Sequence, residues 1–457
     1  MKLKLFIVIL LFFCITTQAQ FGVENIITNE AANANTVFAA DMDGDGDIDV
    51  LSASQGDDTL AWYENLDGEG TFSDEHIITN NLDSTRYING ADMDGDGDID
   101  VLSTTIVDNL VVWFENLDGL GNFSPQNIIT SNLVSPKMVL AEDIDSDGDM
   151  DVLIASRLDN KITWFENLDG LGTFGPQHII TSNASSVDSV YYADLDGDGI
   201  KDVLGNRNSN GQPFWLKHLD GLGTFGPEQQ ITDQTNSSNY IIAHDLDGDD
   251  YTDIIITEFT GDIIGWYKNT DGLGTFGLRQ IITTEVDAPR VIYATDLDND
   301  GDIDILSASQ ADDKVAWYEN TDGLGNFGPQ QIISLYADGP MSVYAADLDG
   351  DGYKDAMSAS IIDYKIAWYK NLTYLDTENH TLEQLYVYPN PVQNILYIEN
   401  PTNLILSHIQ IFDLLGRVVL SEKSNTNQLN ISHLKGGVFY IIIETELGVL
   451  TRKMIKK

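Results

Sequence analysis

Cysteine is all but absent: Cys14 is the one such residue in 457. No internal disulfide can form, and Cys14 lies in a stretch, residues 1–20, that reads as a signal peptide. There Lys2 and Lys4 precede an apolar run from Leu5 to Ile15, and Thr17-Gln18-Ala19 supplies a small-residue cleavage site. The run is too short to span a bilayer. Leu11-Phe12-Phe13 stand before Cys14 where lipidation would want small residues, so a lipid anchor is not expected. After removal of the peptide no thiol is left for catalysis or cross-linking. No later stretch is long and apolar enough for a membrane span, so none is expected after residue 20.

Basic residues are also scarce, 23 Lys and Arg against 73 Asp and Glu, for a net charge of −50. Residues 1–20 and 386–457 each carry +2, which leaves −54 on the middle of the chain. Such a surface repels nucleic acid and anionic membranes, so neither is expected as a partner. Disorder is excluded as well. Hydrophobic residues make up 42% of the chain and alternate as strands do.

What the sequence does have is a repeat. All seven tryptophans, Trp62, Trp113, Trp164, Trp215, Trp266, Trp317 and Trp368, stand 51 residues apart, and Phe21, Phe72, Phe123, Phe174, Phe225, Phe276 and Phe327 keep the same step. Each unit has four short apolar or alternating runs, such as Val37–Ala40, Asp49–Ser54, Leu60–Glu64 and Phe72–Thr79, separated by Gly- and Asp-rich turns. Four strands, A to D, in each of seven units predict an all-β, seven-bladed β-propeller over residues 21–372. The seventh unit lacks strand D, and Phe21–Thr28, which matches Phe327–Ser334, precedes the first strand A. The N-terminal strand is therefore expected to close the ring as strand D of the last blade. One tryptophan per blade at a fixed place fits packing between blades better than a sugar-stacking platform.

Between strands A and B each unit carries an acidic loop with Asp at positions 1, 3, 5 and 9. The first is Asp41, Asp43, Asp45 and Asp49, and the second Asp92, Asp94, Asp96 and Asp100. The third is Asp143, Asp145, Asp147 and Asp151, and the fourth Asp194, Asp196, Asp198 and Asp202. The fifth is Asp245, Asp247, Asp249 and Asp253, the sixth Asp296, Asp298, Asp300 and Asp304, and the seventh Asp347, Asp349, Asp351 and Asp355. Alternate carboxylates on a tight turn, with a backbone carbonyl at position 7, match what a calcium ion takes as ligands, and crowded carboxylates repel one another unless a cation neutralises them. Up to seven ions, one per blade, are expected. Magnesium suits the loop less, because it keeps its waters. Asp250 stands at position 6 of the fifth loop, where the turn favours Gly, so this site is expected to be the weakest. Ser146 and Asn299 replace Gly at position 4, where a gentler turn is expected.

Phe-Gly followed by such a loop, as in Phe327-Gly328 and Asp347 to Asp355, resembles the FG-GAP or VCBS repeat family of integrin-like propellers over Phe21 to Leu372. The resemblance implies calcium at the 28 Asp positions. The family includes adhesins and polysaccharide-active enzymes, so fold alone does not give activity.

A polar linker, residues 373–385, ends the repeat. Tyr388-Pro389-Asn390-Pro391, Ile409 to Asp413, Gly416-Arg417, Gly436 to Tyr440 and the basic end from Arg452 resemble the type A sorting domain of type IX secretion over residues 386–457. That implies a small β-sandwich, engagement of the type IX machinery, and export through the periplasm and outer membrane to the surface or beyond.

No nucleophile elbow, phosphate loop or zinc motif is present. His244 and Glu142, each directly before a first loop Asp, are the odd residues, and His218 replaces a repeated Asn. These features favour a binding or adhesion module for an extracellular glycan or protein over an enzyme, with a polysaccharide lyase or hydrolase as the alternative. Loops opposite the acidic ones vary among all copies and are expected to carry the ligand. Arg86, Lys137 and Arg290 share one place in the repeat, six residues before the first loop Asp, and are the candidate contacts for an anionic group.

Overall fold

A computed structural model describes residues 20–208, 212–231, 238–373, 385–400, 406–413, 417–423, 426–445 and 448–457. The signal-peptide reading of residues 1–19, and the linker from 374 to 384, lie outside the described residues. The chain parts into two compact units between Asn371 and Leu372.

In the first unit β2 (Ala34–Ala40), β3 (Asp49–Ser54), β4 (Thr59–Tyr63) and β5 (His76–Thr79) form an antiparallel sheet in sequence order. The pattern recurs at the 51-residue step as five more sheets, ending at Ser334. β3 is buried at all six residues, because blades pack against both of its faces, and Asp49-Val50-Leu51-Ser52-Ala53-Ser54 accordingly lacks the polar alternation of a one-sided strand. The last blade is β26 (Pro340–Ala346), β27 (Asp355–Ser360) and β28 (Ile366–Asn371), and β1 (Phe21–Thr28) completes it by pairing with β28. Phe21 lies opposite Asn371 and Asn25 opposite Trp368, while the Lys365 ammonium sits 2.8 Å from Glu24.

Neighbouring blades are locked by glycine on tryptophan. A Cβ on Gly121 would fall 2.3 Å from the Trp62 ring of the preceding blade, so only Gly lets the turn between strands C and D lie on that ring. Gly70 of the first blade covers Trp368 of the last in the same way, and the Asn65 amide donates to Leu348 carbonyl across that seam at 2.8 Å. Trp317 precedes the blade that has no such turn, and Phe21 meets it edge-on at 6.1 Å instead. The seven tryptophans are at most 6% exposed, so they serve packing and offer no platform for a sugar. His218 is also structural: it is fully buried, with Nδ1 3.1 Å from the Tyr192 hydroxyl and Nε2 accepting the Gly223 N–H at 2.8 Å.

The second unit is a β-sandwich. One sheet is β29 (Tyr386–Tyr388), β30 (Ile395–Glu399) and β33 (Gln428–Asn430). The other is β31 (Leu406–Asp413), β32 (Val418–Glu422), β34 (Gly437–Thr445) and β35 (Gly448–Lys456). Leu396, Ile398, Ile409, Ile411, Ile441 and Met454 fill the space between them. Among the described residues no helix is long and apolar enough to cross a membrane.

Candidate functional site

The acidic loops fold on their own carboxylates. In the first, Asp41 accepts the N–H of Gly44 at 2.8 Å and of Gly46 at 3.0 Å, and Asp45 accepts that of Asp47 at 2.9 Å. This leaves one oxygen each of Asp41, Asp43 and Asp45 within 4.8 Å of one another, a spacing that recurs at the same positions in the second, third and fifth loops, while in the fourth Asp194 and Asp196 gather with Asp202. The Asp at position 9 braces the blade: Asp49 accepts the Met42 N–H at 2.8 Å and the Asn65 N–H at 2.7 Å. Burial pushes this carboxyl up to about 7 in six loops and to about 8 at Asp355. A divalent ion beside it would reverse that trend. Further in favour of an ion, the Oδ1 atoms of Asp143 and Asp145 in the third loop and of Asp296 in the sixth are buried with no hydrogen-bond partner. The residues present thus fit a hard cation with oxygen ligands. The Asp47 carboxylate is turned away, onto Gly68 of the adjoining turn.

Position 4 is the gentler of the two turns, as the replacements by Ser146 and Asn299 suggested. All seven residues there have positive φ, from 61° at Asn299 to 75° at Gly95. Asn and Ser are tolerated because this is the ordinary left-handed basin. Position 6 is the stricter place, since its glycines lie between 85° and 100°, whereas Asp250 falls back to 65°.

At the opposite end of the blades lies a cavity of about 580 Å³, walled by the first strand of each blade. Arg86 falls at an irregularity between Thr85 and Tyr87, Lys137 at one between Pro136 and Met138, and Arg290 at one between Pro289 and Ile292. A bulge turns two successive side chains to one side, which is how both Arg86 and Tyr87 line the cavity. The structure therefore brings the three expected cations together. It adds two residues that sequence reasoning missed. Asp188 stands at the same 51-residue step and could have been found by counting, whereas Arg157, just past a second strand, required the fold.

Asp188 is already engaged, 3.5 Å from Arg157 Nε and accepting from the Asn208 amide. Arg86 donates to Asn35, and Arg290 donates to Gln310 at 2.7 Å while lying 4.1 Å over the Phe259 ring. Lys137 has no hydrogen bond or ion pair among the described residues. Burial, then Arg86, pushes its ammonium down to about 8, against a counter-pull from Asp188. Burial also holds Arg86 and Arg290 below the usual guanidinium range.

Deeper in, Tyr293 and Tyr344 lie 4.5 Å apart, and Phe38 packs on Tyr344 at 5.2 Å. His244 Nε2 is 3.4 Å from the Tyr191 hydroxyl, and burial, then Lys354, holds the imidazole below its usual range. Glu142 is paired with Lys201 at 2.7 Å.

Residues 41–103, 92–154, 143–205, 245–307 and 296–358 match the FG-GAP-like repeat. The chain belongs to the FG-GAP-like repeat family. The repeats leave out 206–244, the stretch in which His218 takes the place of the bracing Asn. Residues 386–457 match the secretion system C-terminal sorting domain, which marks the FG-GAP-like protein for export by type IX secretion to the cell surface or the medium. No curated protein matches the chain. Among solved structures it is similar to an Agrocybe aegerita lectin described for specific recognition of non-reducing terminal N-acetylglucosamine, 20% identical, TM-score 0.51, covering 72% of this chain and 86% of that one. It is also similar to BBS1N in complex with ARL6DN, 9% identical, TM-score 0.53, covering 78% and 98%. At such identities the likeness is one of fold.

Proposed function

We propose that this exported protein is a binding or adhesion module whose propeller is held together by calcium in its acidic loops, and that it takes an anionic extracellular ligand, a uronate-bearing glycan, at the mouth of its central cavity. The observation that carries the reading is the imbalance of charge there. Four cations, Arg86, Lys137, Arg157 and Arg290, face one carboxylate, Asp188, inside a domain that is otherwise strongly acidic. The Arg86 and Arg290 guanidinium groups, held by neutral partners, and beside them an ammonium with no hydrogen bond or ion pair among the described residues, suit a carboxylate or sulfate, and the tyrosine wall suits a sugar face. The sorting domain would carry the protein through the periplasm and outer membrane.

A glycan array probed with the purified protein tests the reading. Acidic glycans should be retained by the wild type and lost by Arg86→Ala/Lys137→Ala/Arg290→Ala, with the calcium-dependent melt unchanged. Retention by the triple variant would remove this cluster from the site. The Tyr191 and His244 pair in the same cavity keeps a lyase reading in play, and rising ultraviolet absorbance on an acidic polysaccharide would favour it. Excess EDTA should lower the melting temperature by many degrees, because a site at 100 times its Kd adds about 2.7 kcal/mol. An unchanged melt would remove calcium from the account.

A further inference from the structure

We infer that the seven acidic loops are of two kinds, four that take a calcium ion and three in which a lysine ammonium stands in its place. The inference rests on the calcium reading above and sharpens it. Two residues after each tryptophan, strand C delivers a side chain to the loop of its own blade. In blades one, two, three and six that residue is Glu64, Glu115, Glu166 and Glu319. In blades four, five and seven it is Lys217, Lys268 and Lys370.

The lysines enter the loops. Lys217 Nζ is 2.8 Å from Asp198 and also pairs with Asp196. Lys268 Nζ is 2.8 Å from Asp249 and also pairs with Asp247. Lys370 Nζ is 3.1 Å from Asp351 and also pairs with Asp349. In each case the ammonium bridges the carboxylates at positions 3 and 5, between which an ion would bind. The glutamates do the reverse: Glu64 adds repulsion to Asp43, Glu115 to Asp94, Glu166 to Asp145 and Glu319 to Asp298.

A second position divides the blades identically. Position 7 is Asp47, Asp98, Asp149 and Asp302 in the glutamate blades, but Ile200, Tyr251 and Tyr353 in the lysine blades. Each glutamate blade therefore brings six carboxylates to its loop, whereas loops four and seven have four carboxylates and a cation and loop five, with Asp250, has five and a cation. Coulomb repulsion between an ammonium and a divalent ion within one small site opposes joint occupancy.

Equilibrium dialysis of the metal-stripped full chain against calcium, with bound metal counted by atomic absorption, tests this. Four ions per chain are expected at saturation. Five or more, or fewer than four but not zero, would overturn the two-kind assignment while leaving calcium in the loops. Zero would overturn the calcium reading itself and this inference with it. Glu166→Lys should lower the count by one, to three, and Lys217→Glu should raise it by one, to five. Circular dichroism of each variant establishes that it is folded, and Glu115→Lys and Lys370→Glu repeat the exchange in other blades. Folded variants that keep a count of four would refute the role given to this side chain.

Discussion

Raising the pH from 7 to 9 should strip the proton from one cavity cation, Lys137. Lys137 is pushed down to about 8 by burial, then Arg86, so the ammonium is roughly nine-tenths protonated at pH 7 and one-tenth at pH 9. A bound carboxylate would restore its ordinary value of about 10.4, so the complex keeps its proton throughout this range. Linkage then requires the Kd to rise about tenfold between pH 7 and 9, or about 1.4 kcal/mol. The other groups facing Lys137 do not interfere. Arg290, held down to about 10, keeps most of its charge up to pH 9, and burial pushes Tyr87 up to about 12. The assay is isothermal titration of the acidic glycan found on the array, at constant ionic strength and saturating calcium. Lys137→Arg should bind with no slope over the same range, and Lys137→Met should bind weakly with no slope. A wild-type Kd constant within a factor of two, or a tenfold slope surviving in Lys137→Arg, would refute the assignment.

Phe21→Ala removes a buried ring that faces Trp317 at the seam and should cost about 3 to 5 kcal/mol. At about 2.1 cal/mol/K of unfolding entropy per residue over residues 21–371, that is roughly 4 to 7 °C in calorimetry, and a shift under about 1 °C would contradict the closure. Asp302→Ala should keep its loop's calcium, because that carboxylate lies on Gly323, whereas Asp300→Ala should lose it; equal losses by dialysis would count against the ligand set. Deleting residues 386–457 should leave a folded propeller trapped in the periplasm, as read by cell fractionation, and its normal export would sink the sorting role.

Much of the fold was legible because the 51-residue step repeats without insertion, so four strands recognised in one unit were recognised in all. Closure was legible from one likeness, Phe21–Thr28 to Phe327–Ser334, at opposite ends of the repeat. The milder demand at position 4 was legible from its replacements, Ser146 and Asn299, because its φ lies in the ordinary left-handed basin that such residues tolerate, whereas the wider φ of position 6 keeps to Gly in every loop but the fifth. The Lys137 cluster was half visible: its cations share a column of the repeat, but Arg157 does not, and the β-bulges that aim the column inward leave no mark in the residue types.

The glutamate and lysine column shows most plainly why the rest was hidden. Read along one copy, Lys217 is a polar residue near the end of a strand, with nothing to tie it to Asp196 and Asp198 some twenty residues earlier. Strand C runs back antiparallel to strand B, so its last residues return to the turn from which strand B departed, and the loop lies beside them. With that geometry in hand, positions two after the tryptophan and seven in the loop become neighbours in charge, and their joint change in blades four, five and seven has a single cause. A ring of equal blades needs its repeated residues for packing. What it binds, and where it needs an ion, is written in the columns that differ.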